Sequence, residues 1–250
     1  MRWAGLVALV AVGASGFAVT KLPRPGFPAP AASAPAPTHM RITSSMYHAP
    51  SPSNATRPQL RGIPKSFRGA PLQKLVLYSP LLALYGTDAS ARYVLSFDEQ
   101  AGFRYGFDFS RYVWPPRIRR GEREFVYEGI EWAREVDDVL YVENAHTTYA
   151  RSSYRRNAYI TAIDLHTKKT LWRSAALVAN AHTFVATPRY LVTGYGFTKE
   201  PDYLYLLDRS NGHVVERLKV PSAPAELTLL GISLHVRTYD HDLVVQLKGT

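Results

Sequence analysis

One short strand is written four times in this chain, and that repetition restricts the fold more than any other feature. Residues 93–98 read YVLSFD, 159–164 YITAID, 203–208 YLYLLD and 243–248 LVVQLK. The first three copies end on Asp98, Asp164 and Asp208, and four places further on stand Gly102, Lys168 and Gly212. An aspartate accepts hydrogen bonds from the amides just downstream of it, and a glycine takes the positive φ of a tight reversal, so this spacing predicts hairpins. Lys168 breaks the glycine pattern and predicts a strained turn. Each hairpin leads into a further strand over 103–109, 169–173 and 213–220. A preceding strand covers 81–86, 139–144, 190–196 and 233–239, and a first strand lies near Leu75, Trp132, Phe184 and Leu227. The unit is therefore a four-stranded antiparallel sheet, and 44 residues separate Asp164 from Asp208. All-β units at that period predict a β-propeller of about four four-stranded blades, with an open blade array or a β-sandwich as the alternatives.

The second unit carries a more specific pattern. Ala162, Asp164, Thr167, Lys168, Lys169 and Trp172 lie in the order AIDLHTKKTLW, which resembles the A-x-D-x-x-T-G-K-x-x-W motif of pyrroloquinoline-quinone-like propeller repeats. The third unit keeps Asp208, Asn211 and Gly212 with Val215 near the tryptophan position, and the first keeps Asp98 and Gly102 with Tyr105 there. The resemblance covers about 72–248 and implies the propeller fold. It does not bring the quinone: enzymes of that superfamily use cysteine, calcium and quinone contacts without counterpart here, so no cofactor is expected, and a non-catalytic envelope scaffold is what the resemblance implies.

Charge placement narrows the partner class. Residues 1–70 hold eight Lys and Arg and no acid, which leaves 22 basic against 20 acidic residues in the remainder. The folded part thus lacks an electrostatic footprint for phosphate backbones, and no nucleic-acid partner is expected. Arg2, the apolar run 3–12 and the small residues 13–18 have the plan of a secretory signal peptide, so 1–19 is assigned to a signal peptide or N-terminal anchor, with no stable membrane span after cleavage. Ten of the 18 prolines fall in 20–70, which is assigned to a basic, mostly extended linker. Residues 71–250 form the propeller-like domain. The expected location is secreted or periplasmic. No cysteine occurs, which excludes disulfides and thiolate zinc sites. Asn54, Ala55 and Thr56 make an N-glycosylation sequon, most simply a chance tripeptide in a linker.

The fourth unit reaches 248 without an outer strand. An uncovered row of backbone groups invites aggregation, so a segment upstream of Gln73, either Met40–Tyr47 or 59–62, is expected to supply the strand and close the ring.

Histidines are the candidates for catalysis. The tetrapeptide Asn-Ala-His-Thr occurs twice and places His146 and His182 in loops on one face of the units, with Asp88, Asp240 and His241 on the same face. Such a group suits general acid and base chemistry of a hydrolase or lyase, although its spacing is not a metal-ligand pattern and a polar blade edge commonly holds such residues. The long loop 145–156 carries Arg151, Tyr154, Arg155 and Arg156, a set suited to clamping a protein or an anionic glycan; Arg117, Arg119, Arg120 and Arg123 would extend it. A merely solvated basic loop is the competing account. Trp172 and Trp132 are expected to pack between units, and Glu131, Glu135, Asp137 and Asp138 to form a solvated strand end.

Overall fold

The computed structural model describes residues 16–31, 34–50, 58–87, 90–112, 119–122, 127–146 and 151–249. Three N-terminal strands come first: β1 (Thr20–Lys21), β2 (Met40–Tyr47) and β3 (Ser66–Phe67). The first unit is β4 (Ala70–Val76), β5 (Leu81–Thr87), β6 (Ser90–Phe97) and β7 (Phe103–Asp108). The second is β8 (Gly129–Val136), β9 (Val139–Ala145), β10 (Tyr159–Asp164) and β11 (Thr170–Arg173). The third is β12 (Val185–Ala186), β13 (Tyr190–Phe197), β14 (Glu200–Asp208) and β15 (Val214–Lys219), and the fourth adds β16 (Pro224–Leu230), β17 (Ser233–Thr238) and β18 (His241–Leu247). Each unit is an antiparallel meander, and the bridge Ala91↔Ile130 joins the first two into one ten-stranded sheet.

Side chains alternate along these strands, and both sets are buried wherever a unit has neighbours on two sides. In β9, Leu140 and Val142 pack toward the first unit, while Tyr141 and Ala145 pack toward the third. In β13, Leu191 and Tyr195 face the second unit, while Tyr190 and Val192 face the fourth. The fourth unit departs from this. Leu234 and Val236 of β17 are buried against the third unit, and the alternate residues His235 and Arg237 are exposed.

The expected closed ring is therefore not formed. No sheet closes on itself, and among the described residues no apolar cluster joins the fourth unit to the first, so the architecture is an open array of blade-like sheets. The physical reason lies at the two ends. The free face of the first unit, with Tyr85, Leu95 and Phe97, is already covered by the chain's own Phe17, Ile63 and Phe67, and Phe17 stacks on Phe103 at 4.5 Å. Each such side chain contributes roughly 1.5–3 kcal/mol when fully covered, so this face has little left to gain from another sheet. The corresponding face of the fourth unit is polar, as terminal units of repeat arrays are.

The segment from Thr20 to Tyr47 runs along the outside of the array and meets the units in order. Strand β1 pairs in parallel with β7 of the first unit. Beyond β11, Ala176 donates its amide to the Ala29 carbonyl at 3.0 Å and accepts from Ala31 at 3.3 Å. In the third unit Arg217 donates to the Pro35 carbonyl at 3.4 Å, and in the fourth β2 pairs antiparallel with β18 over Met40–Tyr47. The missing strand thus comes from the first of the two segments expected, and it completes a sheet without closing a ring. Prolines are tolerated because a strap touching sheet edges at intervals does not need every amide.

The repeated turns follow the aspartate pattern. Asp98 accepts from the Gly102 amide at 2.7 Å, Asp164 from Thr167 at 2.6 Å and Asp208 from Ser210 at 2.8 Å. Positive φ falls on Lys168 (60°) and Gly212 (75°), but in the first turn on Ala101 (63°) rather than on Gly102. The Lys168 ammonium lies 5.0 Å from the centre of the Tyr105 ring in the first unit, which offsets part of the strain. The third unit's turn meets the second unit in the same way: Trp172 donates its indole N–H to the Arg209 carbonyl at 3.1 Å, and a Cβ at position 212 would run into the indole ring.

Candidate functional site: an axial polar cluster and a rigid loop tip

Lys74 of β4, Glu131 of β8, Glu143 of β9, His182 just before β12 and Glu226 of β16 lie close enough to act on one another's charge. Strands β4, β8 and β16 each carry a register shift at the same place, skipping Gln73, Glu131 and Ala225. Such a bulge breaks the two-residue alternation and re-aims the side chains beside it. Lys74 donates to the backbone carbonyls of Glu131 at 2.8 Å and His182 at 3.3 Å, so one ammonium ties the first unit to the second and third. Its pKa is lowered by burial, an effect opposed by the carboxylates of Glu131, Glu143 and Glu226. Glu143 is wholly buried on β9, and neither carboxylate oxygen has a hydrogen-bond partner among the described residues. Burial, reinforced by Glu131, raises its pKa well above the usual carboxylate range. Burial likewise raises Glu131 to about 6, with Lys74 opposing.

The raised Glu131 value sets an expected pH dependence. A carboxyl whose folded pKa lies above its unfolded value of 4.5 stabilises the fold fully below pH 4.5 and loses that contribution as the pH rises through about 6. Chemical denaturation of the wild type should therefore show about 2 kcal/mol more loss between pH 4.5 and 7 than the Glu131→Gln variant shows. Identical slopes in the two proteins would place this carboxyl in water.

The three candidate histidines are not brought together. His146 is buried in the second unit with its Nε2 at 3.9 Å from Glu128 Oε1, and Asn157 holds its backbone by donating to the His146 carbonyl and accepting from its amide. Glu128, Tyr112 and Arg173 all lie close enough to Tyr159 to act on its hydroxyl, which has no hydrogen-bond partner among the described residues, and Arg173 donates to the Tyr112 hydroxyl at 2.9 Å. Burial raises both Glu128 and Tyr159. His182 stands at the axial cluster, 4.0 Å from Glu131. His241 is in the fourth unit, its Nδ1 at 2.7 Å from Asp240. There Ser222 donates to the same aspartate. Asp88, Arg117 and Arg123 lie outside the described residues. Among the described residues no group of three or more His, Cys, Asp or Glu is placed to hold a metal ion.

The loop expected to carry a basic patch is tightly built. Glu122 accepts from the amides of Arg151 and Ser152, each at 2.9 Å, and from the Ser152 hydroxyl, which in turn accepts from the Arg119 amide at 3.0 Å. Arg151–Ser153 forms a single 3-10 turn with Ser152 and Ser153 buried. Tyr154 and Arg155 follow at φ 50° and 60°. Two successive non-glycine residues in the left-handed region cost of order 1–3 kcal/mol each and persist only where the surroundings enforce them. The result is a tip on which Tyr154 is 65% exposed, with Arg151, Arg155 and Arg156 exposed beside it. Arg155 lies 4.0 Å from Glu200 of the third unit.

Sequence reasoning placed Glu131 on a solvated strand end and passed over Lys74, Glu143, Glu128 and Tyr159. The signal for Glu143 was a charged residue inside an otherwise apolar strand, VLYVENA. Open grooves among the described residues include one of about 410 Å³ on the polar face of the fourth sheet and one of about 600 Å³ beside Trp172 and Arg209.

No protein-family model and no curated protein matches the chain. Solved structures resemble it at low identity. BamB from Moraxella catarrhalis has a TM-score of 0.40 and 15% identity, over 73% of this chain and 60% of that one. The computationally designed Ika4 protein has 0.44 and 10%, over 73% and 94%. The C-terminal WD40 domain of Sif2 has 0.46 and 11%, over 72% and 47%. The chain thus spans three fifths of the BamB structure and about half of the Sif2 domain. The fold class rests on the sheets themselves, an open array of antiparallel blade-like units, and the quinone-type resemblance rests on the motif at 162–172 alone. Among the described residues no helix is long and apolar enough to cross a membrane.

Proposed function

We propose that this chain is an exported, non-catalytic binding or scaffolding module of the cell envelope or exterior, and that it holds a protein or anionic glycan partner on the tip of the loop 151–156. The observation that carries this is the pinning of that tip: Glu122, Arg119 and Asn157 fix a strained loop on which, among the described residues, a tyrosine and three arginines are exposed. A preformed aromatic and guanidinium pair binds without the entropy cost of ordering a mobile loop, and tyrosine and arginine are the residues that dominate interface energies. Capture of partners from an envelope extract by the full chain, compared with the Tyr154→Ala/Arg155→Ala double variant, tests it. The double variant should lose about 100-fold in affinity for the captured partner at unchanged melting temperature. Capture that is indifferent to the substitution removes the tip from the interface.

One observation favours a second reading, hydrolase or lyase chemistry: His146 lies beside the buried Glu128, which in turn is close to a Tyr159 hydroxyl without a hydrogen-bond partner among the described residues, groups able to exchange protons. Turnover of any ester, glycan or uronate substrate that disappears in His146→Ala would put this reading first.

A further inference from the structure

We infer that the outer edge of β2 is a strand-addition site occupied by a second copy of this chain, the two β2 strands pairing antiparallel about a twofold axis so that two fourth sheets become one. The strap lies against the outer side of the first three units, by β1 on β7, by Ala29 and Ala31 on Ala176, and by Pro35 on Arg217. In the fourth unit the strap is itself the outermost strand. Among the described residues nothing pairs with the far side of β2.

Its backbone groups are set for pairing. His48 donates to the Asp240 carbonyl at 2.9 Å, so residue 48 turns its backbone toward β18. By alternation Ser45 and Tyr47 turn theirs outward. Met40, also outward, is already bound to Glu216 at 2.8 Å, which leaves the stretch beyond it as the open part of the edge.

Natural edges are guarded by charges, prolines, bulges or covering segments; β2 has one bulge, at Thr43, and beyond it from Ser44 to Tyr47 the edge has neither a charge nor a proline. It is also self-complementary. With Ser45 opposite the partner's Ser45, Met46 meets the partner's Ser44, the bulge at Thr43 marks the end of the regular stretch, and the single charge, Arg41, falls outside it. Met46 and Tyr47 are 68% and 67% exposed in one copy and lie on the seam of two. An isologous pairing of this kind extends the β16–β17–β18–β2 ladder without a new fold element.

Light scattering and sedimentation of the full chain across a wide concentration range read this out directly. The wild type should shift from monomer to dimer. Ser45→Pro removes an outward amide and Ser45→Lys sets two like charges on the axis, and each should weaken dimerisation by about 100-fold with the monomer's circular dichroism and melting retained. The Lys variant keeps the test open if the proline variant fails to fold. In this cysteine-free chain Ser45→Cys should also give a covalent dimer on mild oxidation. A wild type that stays monomeric throughout, or a dimer that survives Ser45→Lys unchanged, overturns the proposal.

Discussion

Replacing Trp172 by alanine is expected to lower the unfolding free energy by about 3 kcal/mol, the lower part of the range for deleting a large core aromatic because this indole is only partly buried. The ring is one of the side chains that link the second and third units. It packs against Tyr141, donates to the Arg209 carbonyl and fills the space above Gly212. The neighbouring Arg209 spans the same junction, bonding Asp137 of the second unit at 2.8 Å and the Thr187 and Pro188 carbonyls at 2.9 and 2.8 Å. Gly212→Ala tests the same contact from the other side, since φ is 75° there and the added carbon meets the ring. In the Trp172→Ala background the glycine substitution should cost only its backbone strain, roughly 1 kcal/mol, and the two changes should be visibly non-additive in denaturant melts. Additive losses would mean that indole and turn act independently.

Glu216→Ala should come next in size, at about 3 kcal/mol, and its effect should be felt in the strap. This carboxylate on β15 is almost fully buried and accepts from the Thr38 amide at 2.8 Å, the Met40 amide at 2.8 Å, the His39 amide at 3.0 Å and the Thr38 hydroxyl at 3.1 Å, with His39 Nδ1 at 2.9 Å. Hydrogen bonds to a charged acceptor are worth more than neutral ones, and the abandoned amides would be left without a partner. Burial pushes the carboxyl up, but the hydrogen bonds from Thr38 and His39 outweigh it and hold the pKa below 4.5. A depressed acid stabilises the fold above its unfolded pKa and loses that contribution as the pH falls through the folded one. Limited proteolysis should therefore release the strap in acid below about pH 4.5 in the wild type, and already at neutral pH in Glu216→Ala. Equal protease resistance of the two proteins at pH 7 would show that the strap is held elsewhere.

Much of the architecture was legible because it is encoded in side-chain period and turn chemistry. The copies around Asp98, Asp164 and Asp208 fixed the hairpins, and the missing fourth strand pointed to a segment upstream of Gln73, either Met40–Tyr47 or 59–62, of which the first pairs with β18. Ring closure was misjudged because it depends on which faces remain apolar after the N-terminal residues have packed, and neither Phe17 and Phe67 on the first unit nor the polar set His235 and Arg237 on the last announces its location. The strap went unread for a related reason: it is seated through backbone groups and one glutamate, which leave no periodicity among the prolines. Glu131 was assigned to solvent because the alternation rule was carried straight through a bulge. The repeat of His146 and His182 proved to be sequence likeness without shared surroundings, one residue sitting under a loop and the other at the axis.

The order of the strap along the units has a consequence for how the molecule is made. Its residues leave the ribosome before any surface they will seal, and the last seat, β18, lies far downstream of the strap, beyond all four units' other strands. Sealing must therefore come after assembly of the array, and contacts so distant in sequence form slowly. Until then the outer edges of four sheets stand open in a chain without disulfides to hold it, which makes the interval between completing β18 and seating residues 20–47 the period of greatest exposure to misassembly.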